Sequence, residues 1–150
     1  MRPVDLRVDI LSAPELASQT FKKGAVLIDS GGFLKEAGAD PNNIVGVSVE
    51  KGHNSSANGD NVIKYVPCTP KVLFEATFDD SADLGNGTTA DTDINKEYGI
   101  AKDSDGKWYI DKSETTAGTI RIQAFRDRKS GIKQGRVLGY FSMDRTIYEA

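Results

Sequence analysis

Cys68 is the chain's only cysteine, His53 its only histidine and Trp108 its only tryptophan, in 150 residues. One cysteine excludes an internal disulfide and a cysteine-rich zinc site. No apolar run approaches the roughly 20 residues that a membrane helix needs, so no membrane partner is expected. No basic stretch followed by an apolar one opens the chain, so no secretory leader is expected either. There is no G-x-x-x-x-G-K-[ST] or G-x-G-x-x-G, hence no phosphate cradle, and no G-x-S-x-G around any serine. Leucine is scarce too: 8 residues, against 21 of valine and isoleucine together.

That imbalance is the first positive sign. β-Branched residues favour the pleated surface of a sheet. The 15 glycines mark many turns. The expected fold is all-β: a small antiparallel β-barrel or β-sandwich, with an extended N-terminal arm over residues 1–20 and the barrel over residues 21–150.

Val4, Leu6, Val8 and Ile10 alternate with Asp5, Arg7 and Asp9, the pattern of a half-buried strand or an extended arm. Ser12 and Pro14 are placed to start a short helix, Ser12 as its cap. Residues 23–35 read as a hairpin broken at Ser30-Gly31-Gly32. Pro41 shapes the loop over 37–43. Residues 44–49 read as a strand with Val45, Val47 and Val49 on one face, and residues 52–61 as a polar surface loop. Residues 62–66 form a strand apolar on both faces, and Val72, Phe74, Ala76 and Phe78 share a face of the next. Residues 79–95 are polar, with a short helix around 92–96. Strands over 98–102 and 107–111 flank Asp103-Ser104-Asp105-Gly106, a turn in which Gly106 takes positive φ and Asp103 folds back on the backbone. Further strands cover 119–125 and 136–142, separated by a charged loop, and residues 145–148 make a tail able to pair. No fixed-period repeat is visible.

Chemistry is harder to find. His53 sits in the most polar loop and reads as solvated, which leaves a serine or cysteine nucleophile without a base. Cys68, between Pro67 and Pro70, reads as a small hydrophobe at a strand edge. Asp103-x-Asp105-Gly106 has its glycine too early for an EF-hand, and Lys107 stands where a ligand belongs. No cofactor, metal or small-molecule substrate is expected. Between Glu75 and Asp105 stand nine acidic and two basic residues; between Arg121 and Arg145, seven basic and two acidic. With an overall charge of −3 this split does not suggest nucleic acid. Two readings of it stay open: neutralisation within one subunit, or contact between subunits through Arg126, Arg128, Lys129 and Lys133.

One block carries a resemblance. Phe21-Lys22-Lys23-Gly24-Ala25-Val26-Leu27, Gly32-Phe33-Leu34-Lys35-Glu36-Ala37-Gly38-Ala39-Asp40-Pro41 and Ile44-Val45-Gly46-Val47-Ser48 follow one another. They resemble the "GA-x-V" strand, the "G-x-(apolar)-x-E-A" return and the "A-G-A-D-P-x-x-I-x-G" turn of tailed-bacteriophage capsid decoration, or cement, proteins. Val72-Leu73-Phe74-Glu75-Ala76, Tyr98-Gly99-Ile100 and Asp105-Gly106-Lys107-Trp108-Tyr109-Ile110-Asp111 look similar to theirs as well. The resemblance implies a non-enzymatic virion protein, often a homotrimer. It would bind the outer surface of the major capsid protein shell and stabilise the expanded head.

The arm residues Val4, Leu6, Val8 and Ile10 would then reach the shell or a neighbour by adding backbone to a sheet edge. Many copies on one shell would gain from multivalency. An alternative is a carbohydrate- or receptor-binding β module of a phage tail, stacking Trp108 or Tyr109 on sugars; the two alternate, so one is expected outside and Trp108 in the core. A third reading is a hydrolase working with two carboxylates.

Overall fold

The computed structural model describes residues 1–4 and 8–148. Eleven strands lie in chain order: β1 (Arg2–Pro3), β2 (Leu11–Pro14), β3 (Val26–Ser30), β4 (Phe33–Glu36), β5 (Ile44–Ser48), β6 (Val62–Pro67), β7 (Phe74–Asp79), β8 (Glu97–Lys102), β9 (Trp108–Asp111), β10 (Ile120–Phe125) and β11 (Arg136–Phe141). The fold is all-β and contains a closed five-stranded barrel.

The strands make two sheets. The first runs β2-β6-β5-β3-β4, and its outer strands meet at a single parallel bridge, Glu15 to Leu34. The second runs β7-β11-β10-β8-β9 and closes into the barrel through a parallel β7–β9 pair, Thr77 to Tyr109 through Asp79 to Asp111. β1 adds to β7 as an extra strand.

Number the five strands of each sheet in chain order, and both read 1-5-4-2-3 with 1 meeting 3 in parallel. The same topology occurs twice in one chain. The sequence hides it because the halves share a strand order and no residue pattern.

Strand propensity and local turns account for the elements. Asp103 accepts from the backbone of Asp105 and Lys107, and Gly106 has φ +77°, as the β8–β9 turn requires. β5 has β3 on one side and β6 on the other. It is buried on both faces, Ile44, Gly46 and Ser48 as well as Val45 and Val47. β6 is less apolar than its sequence suggests: Ile63, Tyr65 and Val66 are buried, while Val62 is 52% exposed and Lys64 faces solvent. The core includes Phe74 packed edge-on to Phe141 at 5.2 Å and Phe78 to Tyr98 at 5.1 Å. Each such pair is worth about 0.5–1.5 kcal/mol beyond its buried area.

Three expectations need correction. Residues 11–14 are strand β2, paired with β6, and not a helix capped by Ser12. A helix that short has too few internal hydrogen bonds to compete with a ladder. The helix expected around 92–96 is a single 3₁₀ turn, Asp91–Asp93, which stops at Ile94, where the backbone turns extended, and Asn95 follows at φ +65°. The stretch 1–20 is not a free arm where it is described. β1 belongs to the second sheet and β2 to the first, so the N-terminus spans both. The tail pairs as expected: Thr146 bridges Ile44, and the Ile147 N–H donates to the Ile44 carbonyl.

Candidate interaction surface

The two sheets are bound together by the block that carries the resemblance. The Glu36 carboxylate at the end of β4 reaches the second sheet with both oxygens. Oε1 accepts from Trp108 Nε1 at 3.0 Å, and Oε2 from Lys102 Nζ at 2.7 Å. Four residues on, Asp40 holds positive φ (46°) and grips β8 twice. Its N–H donates to the Ile100 carbonyl at 3.2 Å, and its Oδ1 accepts from the Ile100 N–H at 2.8 Å. Burial pushes the Asp40 carboxyl up, and Glu114 and Asp111 nearby add to this against the Ile100 hydrogen bond. Gly99 leaves room for this contact, since a Cβ there would collide with Asp40 Oδ1. Asn42, in the same loop, accepts from Arg145 Nη1 at 2.6 Å.

Each sheet ends its first strand in a buried carboxylate that fastens the loop between its fourth and fifth strands. In the first sheet this is Glu15, fully buried. His53 donates to it twice, from its backbone N–H to Oε1 at 3.0 Å and from Nδ1 to Oε2 at 2.6 Å. His53 is exposed, as its neighbours in sequence suggest, but it is also bonded to a buried carboxylate. In the barrel it is Asp79, which accepts from Gln134 Nε2 at 2.7 Å and from the backbone of Asp80, Gly85 and Gly87. Burial alone would raise Asp79; the Gln134 amide and the three N–H groups outweigh it and hold the carboxyl below the usual range. Asp111, paired with Asp79 in the parallel ladder, is likewise buried yet lowered, by Ser81 and Ser113.

The expected arm residues separate. The Val4 N–H is bonded to the Leu73 carbonyl, and Val8 packs against the core. Leu6 lies outside the described residues. Ile10 is 59% exposed and, with Leu11 and Val62, belongs to the exposed apolar side chains.

The basic residues separate as well. Glu75, nearly buried, is met by Arg2 at 2.8 Å, Arg126 at 3.3 Å and Arg136 at 3.9 Å, and Arg136 also pairs with Asp127. Arg121 is held by Glu97 at 2.8 Å. Part of the charge split is thus neutralised within the subunit, Arg126 included. Among the described residues Lys133 Nζ donates to the Asn86 side-chain oxygen, at 2.7 Å, and makes no ion pair. Arg128 and Lys129 are exposed and make no ion pair among the described residues.

The surface has open grooves of about 410, 330 and 200 Å³. The first holds the Glu97–Arg121 pair on its wall, and the last is lined by Arg2, Glu75 and Arg136, already bonded to one another. Cys68 is fully buried, and burial pushes its thiol well up, away from nucleophile chemistry. Trp108 is in the core as expected. Tyr109 is not outside: it is buried too, at 5% exposure, so neither ring offers a platform to a sugar. The clamp residues Glu36 and Asp40 and the pair of buried Glu15 with exposed His53 were missed as working residues. The "E-A-G-A-D-P" string was the available signal for the first two; nothing local marks the second.

No protein-family model matches the chain, and no curated protein matches it.

Proposed function

We propose that the chain is a capsid decoration protein of a tailed bacteriophage. It would bind the outer surface of the major capsid protein shell as a homotrimer and stabilise the expanded head. The observation that carries this reading is the block from Phe21 to Ser48. Its resemblance to decoration proteins rests on a string whose residues Glu36 and Asp40 have a mechanical task in this fold, fastening one sheet to the other. A rigid double-sheet body with carboxylates spent on internal bonds suits a clamp better than a catalyst, and on this reading the chain is neither an enzyme nor a cofactor carrier. Among the described arm residues Ile10 is the exposed one, which supports a part for it in shell contact.

Purified chain mixed with expanded heads is expected to sediment with them and to raise their melting temperature. Failure to co-sediment overturns the proposal. Truncation of residues 1–12 is a poor probe of the arm, because it removes β1 and half of β2. Ile10→Asp leaves both strands in place and is expected to weaken head binding about tenfold, which is about 1.4 kcal/mol; an unchanged affinity removes Ile10 from the contact.

A further inference from the structure

At one end of the barrel the acidic and basic segments are laced into a single ribbon. Thr88 and Lys133 form an antiparallel bridge. The Thr89 N–H donates to the Ile132 carbonyl at 3.1 Å, the Gly131 N–H to the Thr89 carbonyl at 2.6 Å, and the Gln134 N–H to the Gly87 carbonyl at 2.7 Å. Asp79 anchors the ribbon from below through Gln134 and Gly87. Asp83 and Asp91, both exposed, flank one strand of this ribbon. Arg128 and Lys129 precede the other. Leu84, at the tip of the acidic side, is 57% exposed.

The backbone brings opposite charges onto one end of the barrel, yet among the described residues no ion pair forms between the ribbon's two loops, residues 80–91 and 128–134. The contrast with the strands is informative. Arg121, Arg126 and Arg136, which leave β10 and β11, all find carboxylates inside the subunit. The bases at the loop tip do not.

We propose that this ribbon is the contact between copies of this chain: the acidic side of one copy, Asp83 and Asp91, meets the basic side of the next, Arg128 and Lys129, with Leu84 in the joint. This rests on the oligomeric part of the reading above and gives it a surface. Because both sides lie on the same end of the barrel, each copy offers both halves of the contact, and a head-to-tail joint of this kind closes into a ring where its rotation divides a full turn. Opposite charge steers the encounter and fixes its register, while Leu84 supplies apolar area. The contact weakens as salt screens it.

The test is the mass of the full chain in solution by light scattering, at low and high salt. Wild type is expected to be oligomeric at low salt and to dissociate at high salt. Arg128→Glu with Lys129→Glu is expected to weaken association at least tenfold, and so is Asp83→Lys with Asp91→Lys. The chain carrying all four substitutions has its charges exchanged and is expected to associate as wild type does. The melting curves of the two-residue variants show that they fold. A wild type that is monomeric at low salt, or a four-residue variant no better than the two-residue ones, overturns the proposal. Head binding is measured separately. A monomer that still coats heads sinks the ribbon contact and leaves the decoration reading standing. A salt-sensitive ring that ignores heads does the reverse.

Discussion

Glu15 and His53 show what a single residue can conceal. Thirty-eight positions apart, in a loop whose other members are polar, the histidine has no local sign of a partner. Its role is set by a carboxylate with no solvent access of its own, brought there because β2 meets β4 at Glu15. Taking away the exposed His53 leaves the buried Glu15 carboxylate short of a hydrogen-bond donor. His53→Ala is expected to cost about 1–3 kcal/mol. In a chain of this length that is a fall in melting temperature of several degrees, at about 2–4 °C per kcal/mol. Glu15→Gln keeps one acceptor oxygen for the His53 backbone N–H, and its amide can donate to Nδ1 in the other imidazole tautomer, so it is expected to cost less. Thermal unfolding of the two variants decides the matter: equal losses would show that the pair matters only as packing. Trp108 was legible because a lone tryptophan on a strand, with Ile110 on the same face, has few other places to go. Tyr109 was not, because alternation along one strand says nothing of what folds over its outer face.

At the scale of the element, legibility follows distance along the chain. The β3–β4 and β8–β9 hairpins announce themselves through the glycines and aspartates of their turns. The parallel closures do not, since a β7–β9 pair is made across an intervening strand and leaves no turn behind. Strand β2 was misread for the same reason: its partner β6 lies about fifty residues away, and Ser12 and Pro14 carry local signals of another kind. Gly46 tests how tightly the elements are seated. It lies in β5 opposite β6, where a Cβ would collide with the Tyr65 ring and the Val66 carbonyl. The obstacle includes backbone, which cannot step aside as a flexible side chain would. Gly46→Ala is expected to cost about 1–3 kcal/mol, read as a lower denaturant midpoint with an unchanged slope. A midpoint that does not move would mean that β5 and β6 separate cheaply.

For the whole molecule, the acid limb of stability follows from the buried aspartates. Asp79 and Asp111 both have carboxyls held below the usual range in the fold. The sign is that of a lowered acid: their contribution is complete above the unfolded value near 3.9 and is lost as pH falls through the folded values. Asp40, raised by burial, works the other way and gains as it is protonated. The two lowered groups are expected to prevail, so the barrel loses stability as pH drops below about 4. Asp79→Asn is expected to flatten that loss. Unfolding measured from neutral to acid pH checks both statements; an acid limb that survives the substitution assigns it to other groups.

The placement of β1 bears on how the chain comes off the ribosome. Arg2 and Pro3 are made before every strand of the first sheet, yet their partners, Glu75 and Phe74, are made after all of them. The first sheet has all its strands once Pro67 has emerged, while β1 still waits for β7. One stitch of the second sheet is thus sewn with thread spun before the first.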